Sequence, residues 1–129
     1  MRSFSFEKLV VWQKARELSV FIYKETGKFP DLERYGLISQ MRRASISIAS
    51  NIAEGSGRHS SKDKARFTEL AFGSAMELVN HSILGRDLEF LSENAYHHIR
   101  EAAAEITAML NGLRKAQLTS ETKNKHITQ

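Results

Sequence analysis

Apolar residues in this chain recur at three- and four-residue spacing in four separate stretches, a period that fits helices and not half-buried strands. Leu9, Trp12, Ala15, Leu18, Ile22 and Thr26 form the first stripe. Gly27 and Pro30 are expected to stop it, glycine as a left-handed cap and proline by ending the hydrogen-bond ladder. The second stripe is Leu37, Met41, Ala44, Ile48 and Ile52, flanked by Ile38 and Ser45, with Gly55 and Gly57 expected to close it. A third helix opens at Ser60 or Ser61, where Ser60 and Asp63 resemble a capping box with Asp in place of Glu or Gln. It is predicted to bury Phe67, Leu70, Ala71, Ser74 and Leu78, with Phe72, Ala75, Val79 and Ile83 as a second edge. The fourth starts after Ser92 and buries Ile99, Ala102, Ala103, Ile106, Met109, Leu110 and Leu113.

Helices of roughly 20–28 residues are about 30–40 Å long. Short connections make consecutive helices antiparallel neighbours, and each carries an apolar face that only packing can bury. The expected fold is all-α, an antiparallel up-down-up-down four-helix bundle over residues 1–118. Residues 119–129 are polar and aperiodic and predict a flexible tail. A length of 129 residues with 41% apolar composition suits one domain around one core.

Composition narrows the function. The chain has no cysteine, which excludes a disulfide framework and a cysteine-ligated metal and fits a cytoplasmic location. Met1 to Lys8 is charged and lacks the apolar centre of a secretory signal. No run of about 18 apolar residues occurs, so a soluble chain with no membrane partner is expected. The net charge is +4, and its excess lies in the first half. Residues 1–60 hold ten Lys/Arg against six Asp/Glu, and residues 61–129 hold nine against nine. Such an excess permits a polyanionic partner without requiring one.

Catalytic and metal chemistry find little support. Bundle metal sites use Glu-x-x-His pairs, and none of His59, His81, His97, His98 and His126 has a glutamate three residues before it. Glu77 with His81 and Glu93 with His97 are four apart, the spacing of ordinary surface neighbours. Gly55-Ser56-Gly57-Arg58 lacks the preceding strand and the Gly-Lys-Ser/Thr ending of a nucleotide loop, and reads as a helix end with a turn. Serine, histidine and aspartate show no nucleophile-elbow spacing. No enzyme, metal, cofactor or small-molecule substrate is expected.

Binding features are better represented. Arg58, His59, Lys62, Lys64 and Arg66 crowd one helix connection, and with Arg42 and Arg43 they are the candidate nucleic-acid contacts. Arg43, Ser47, Asn51 and Glu54 form a polar stripe on the second helix, and Glu77 sits on the largely apolar third. Arg43, Asn51, Glu54 and Glu77 are therefore expected to form a structural network, in which Arg43 pairs with Glu54 or Glu77 within or between subunits. Ala44, Ser45, Ser47, Ala49, Ser50 and Ala53 give the second helix a small-residue surface suited to close packing on more than one side. The third helix carries more apolar surface than a monomer needs, which suggests a subunit interface.

At these same residues the chain resembles a known family. Phe6-Glu7-Lys8-Leu9-Val10-Val11-Trp12-Gln13-Lys14-Ala15, then Phe29-Pro30, then residues 40–55 from Gln40-Met41-Arg42-Arg43-Ala44 to Asn51-Ile52-Ala53-Glu54-Gly55, are similar to proteins encoded in 23S rRNA intervening sequences, often labelled S23 ribosomal proteins. Ala71 to Leu78 matches the family's third-helix pattern, and the match runs over about residues 4–115. The resemblance implies a four-helix bundle that assembles into a barrel-like homopentamer without enzymatic activity. It also implies kinship with the accessory protein of diversity-generating retroelements, whose basic barrel engages a reverse transcriptase and nucleic acid. The expected partners are copies of the chain itself and structured RNA or an RNA-handling protein. The competing expectation is a protein–protein scaffold with no nucleic-acid affinity.

Overall fold

The computed structural model describes the backbone of residues 1–128 and the side chains of residues 1–120. Four helices follow one another: α1 (Val10–Thr26), α2 (Leu37–Ser56), α3 (Ser61–Asp87) and α4 (Glu93–Thr128). A 3-10 turn, Ser5–Lys8, precedes α1, and another, Asp31–Glu33, lies between α1 and α2. α2 packs most extensively on α3, and α3 on α4; α1 joins α2 and closes more lightly on α4. Among the described residues the diagonal pairs α1–α3 and α2–α4 make no comparable contact, so the helices form a closed four-sided bundle.

Cross-helix bonds give the directions. Arg42, early in α2, donates from Nε to Oγ1 of Thr26 at the end of α1 (2.9 Å). Thr68, early in α3, donates to Gln117, late in α4 (2.9 Å). Lys14, early in α1, pairs with Glu105 of α4 (2.9 Å). The Glu105 hydrogen bond and charge hold the Lys14 ammonium above its ordinary value of 10.5. Each helix thus runs against its neighbours, which is the up-down-up-down order read from the sequence.

The predicted stripes form the core. Ala15, Ile22, Met41, Ile48, Ala71, Ala75, Leu78, Ile99 and Ile106 are fully buried. Leu70 departs from expectation, being 45% exposed. It projects from the same outer face of α3 as Leu84, while Ala71 one residue on turns inward. Ala44 and Ser45 are buried, whereas Ser47 meets Ser74 of α3 through a hydroxyl pair (2.8 Å), so α2 does pack on two sides.

The helix ends differ from expectation in three respects. Gly27 caps α1 with right-handed backbone (φ −62°), so no left-handed cap forms there. α2 runs through Gly55 and ends at Ser56, because Gly55 serves a close crossing with α3. Ser60 does cap α3, its Oγ accepting from the Asp63 amide (3.0 Å), but the Asp63 carboxylate turns to Arg58 and Arg66 instead of back to Ser60. α3 ends in a Schellman arrangement in which the Phe90 amide donates to the Gly85 carbonyl (2.9 Å) and the Glu89 amide to Arg86 (2.9 Å). Glu89 takes the left-handed position with φ 63°. Phe90 then packs against Phe29 with the rings tilted by 48° (5.8 Å between centroids), joining the α1–α2 and α3–α4 connections at one end of the bundle.

α4 continues as helix to Thr128, through most of the segment expected to form a tail, and Thr119 and Ser120 on it are exposed. The side chains of residues 121–129, where the rest of that expectation falls, lie outside the described residues. Among the described residues no helix is long and apolar enough to cross a membrane.

Candidate nucleic-acid interface

The basic cluster is built by a tight reversal. α2 ends at Ser56, Gly57 turns the chain, and Ser60 starts α3 three residues later. This reversal sets Arg58 beside the first turns of α3, where helical spacing also places Lys62 and Arg66. Phe67 is the centre of the arrangement. Its ring is nearly buried (6% exposed), with the Arg58 guanidinium 4.4 Å and the Arg66 guanidinium 4.8 Å from its centroid. Such cation–π contacts hold both long side chains in place at an exposed surface.

Asp63 is the acid of the cluster. One carboxylate oxygen lies 3.8 Å from Arg58 Nε and the other 3.3 Å from Arg66 Nε. Lys64 has a structural task, donating from Nζ to the Ser56 carbonyl (3.1 Å) and so satisfying the end of α2. Lys62 and His59 are exposed and have no hydrogen bond or ion pair among the described residues. Asp63 therefore faces three free or half-free cations, and counting Lys64 and the exposed Glu54 of the last α2 turn, this end holds four Lys/Arg against two acids and stays positive. Lys62, Asp63 and Arg66 also line a shallow cleft of about 610 Å³ that reaches α4 at Leu118 and includes Glu69, which pairs with Arg114 of α4.

Four of the six predicted contacts, Arg58, Lys62, Lys64 and Arg66, are thus brought together. Arg42 and Arg43 are not, because they lie near the other end of α2, about 20 Å away at 1.5 Å per residue. Arg42 is also occupied: besides Thr26, it donates from Nη2 to the Tyr23 carbonyl (3.3 Å) and lies 4.6 Å over the Tyr23 ring. It ties the end of α1 to α2 and does not face outward as a phosphate contact. Arg43 is exposed.

The expected polar network forms only in part. Asn51 donates from Nδ2 to the Ser47 carbonyl (2.9 Å), and Ser47 meets Ser74, joining α2 to α3. Within the chain, Arg43 pairs with neither Glu54 nor Glu77. Arg43 and Glu54 both point to solvent, and Glu77 lies against His81 (3.4 Å) on its own helix. Glu93 and His97 form a similar pair (3.5 Å), and among the described residues no third ligand completes a metal site.

One feature escaped the sequence reading. Between α1 and α2 runs an apolar groove of about 660 Å³, lined by Trp12, Val20, Tyr23, Ile46, Ala49 and Ala53. Val20, Tyr23 and Ile46 fall outside the buried stripes, and that was the available signal.

The chain matches the 23S rRNA-intervening sequence proteins over residues 7–112. No curated protein matches it. Among solved structures it is similar to a protein of unknown function from the S23 ribosomal protein family of Bacteroides thetaiotaomicron. The two are 26% identical with a TM-score of 0.74, over 82% of this chain and 99% of that one. A match over most of the chain, together with the shared fold, assigns this four-helix bundle to the 23S rRNA-intervening sequence protein family.

Proposed function

We propose that this protein is a non-catalytic, cytoplasmic, homo-oligomeric module that binds structured RNA, free or carried by an RNA-handling protein, through the α2–α3 end of the bundle. One observation carries the reading: Arg58 and Arg66 are held over Phe67 beside the free Lys62, with Asp63 as the nearby acid. Cations fixed on a rigid turn lose little entropy on meeting phosphates, and their pairing releases counterions. The half-exposed apolar residues of α3, Leu70, Met76 and Leu84, support self-assembly. The resemblance to the family's barrel implies five copies, which would repeat the basic end and multiply weak contacts.

The test is retention of a labelled rRNA hairpin in a low-salt gel shift. Retention that disappears in Lys62→Glu/Arg66→Glu supports the reading, and no retention by the unaltered protein sinks it. The apolar α1–α2 groove favours a second reading, a protein–protein scaffold. That reading predicts a defined oligomer without RNA retention, and co-purifying partners that survive nuclease treatment.

A further inference from the structure

The groove between α1 and α2 and the outer face of α3 have complementary features. Arg16 and Lys24 stand among the residues lining the groove, and no carboxylate does. Its apolar members are well exposed: Val20 51%, Ile46 44% and Tyr23 41%. A second hollow, lined by Tyr35 and Ile38, continues it past Tyr23 and Ile46. From Ala53 to Ile38 the α2 wall is about 22 Å long at 1.5 Å per residue.

The outer face of α3 is a ridge of the same length. Leu70, Gly73, Glu77, Asn80 and Leu84 are exposed and spaced three, four, three and four apart, the spacing of a seam that seats against another helix. Leu70 to Leu84 spans about 21 Å. A Cβ added to Gly73 would meet nothing within 4 Å, so the middle of the ridge is open to close approach. Met76 lies beside the seam at 43% exposure. Glu77 is the charged residue exposed along this span, with 49% of its side chain accessible.

We infer that the α3 ridge of one copy seats in the α1–α2 groove of the next, a heterologous interface in which Glu77 meets the groove's Arg16 and Lys24. This rests on the homo-oligomer reading above and names the surfaces that make the oligomer. Symmetric alternatives fit less well. Groove against groove would oppose two hollows and like cations, and ridge against ridge would bring two Glu77 side chains together. A head-to-tail contact leaves a growing assembly with one free groove at one end and one free ridge at the other, so it adds copies until the rotation closes it into a ring, or extends as a filament where it does not close.

The chain has no cysteine, so introduced thiols report cleanly. Val20→Cys and Met76→Cys would be made separately, mixed after disassembly at low concentration, reassembled and mildly oxidised. The expected product is a disulfide-linked pair containing one of each, with little linkage when either variant is oxidised alone. In the oligomer the Val20→Cys thiol should react with a maleimide at least tenfold more slowly than in dilute, dissociated protein. Glu77→Arg should weaken assembly at least tenfold, and adding Arg16→Glu with Lys24→Glu should recover most of the loss.

Dominant Val20→Cys or Met76→Cys self-linkage would overturn the inference in favour of a symmetric interface. An oligomer whose Val20→Cys thiol stays freely reactive would also overturn it, leaving the groove for a different polypeptide. Both outcomes leave the homo-oligomer reading standing. A monomer in light scattering at micromolar concentration would remove that reading, and the inference with it.

Discussion

Gly55 of α2 faces Phe67 of α3 so closely that a Cβ on the glycine would stand 2.8 Å from the Phe67 Cβ. The same ring carries Arg58 and Arg66 on its surface. A helix crossing that only glycine allows therefore sets the position of the basic end. Gly55→Ala should lower stability by about 1–3 kcal/mol through overpacking, with the gain in helix propensity (about 1 kcal/mol) offsetting only part. Urea unfolding checks this, and an unchanged or raised midpoint would contradict it.

Asp63 restrains both arginines. Asp63→Asn should leave the Ser60 cap in place, since the cap uses the backbone amide. It should raise affinity for structured RNA about threefold, the effect expected when a unit charge several ångströms from a phosphate is removed in a high-dielectric setting. Fluorescence anisotropy reads this directly, and weaker binding would show that Asp63 organises the site instead of opposing the ligand.

Arg42 separates structure from binding. Arg42→Ala removes bonds to Thr26 and the Tyr23 carbonyl and should cost about 1–2 kcal/mol of stability. RNA affinity should change less than about twofold, because no phosphate contact is lost. A large fall in affinity without loss of stability would place Arg42 back in the interface.

How far these roles could be read in advance depends on the kind of contact. Helix positions follow from local periodicity, and Ile22, Met41, Ile48 and Ile106 were legible because each repeats a 3.6-residue stripe. The Ser60 cap was legible because capping acts over three residues. The fate of Arg42 was not, since the crossing of α1 and α2 decides whether an arginine there meets solvent or a carbonyl. Gly55 looked like a helix stop because glycine has two uses, and only the distance to Phe67 tells them apart. The α1–α2 groove was missed because Val20, Tyr23 and Ile46 each look like scattered surface residues until two helices place them side by side.

Glu89 holds the left-handed position that ends α3, where an L side chain is disfavoured. Glu89→Gly keeps the Schellman bonds and should raise stability by about 0.5–1 kcal/mol. A higher melting temperature with unchanged oligomer size is the expected result, and a fall would show that the Glu89 side chain contributes more than the strain costs.

The most direct measurement of the central claim is the salt dependence of binding to a structured rRNA hairpin. If Arg58, Lys62 and Arg66 meet phosphates, log K against log salt should fall with a slope of roughly −2 to −3 per engaged bundle end, at about −0.7 to −0.9 per phosphate. In Lys62→Glu/Arg66→Glu it should flatten by about 1.5 or more per end. A flat line for the unaltered protein, or the same slope in both proteins, would contradict the account.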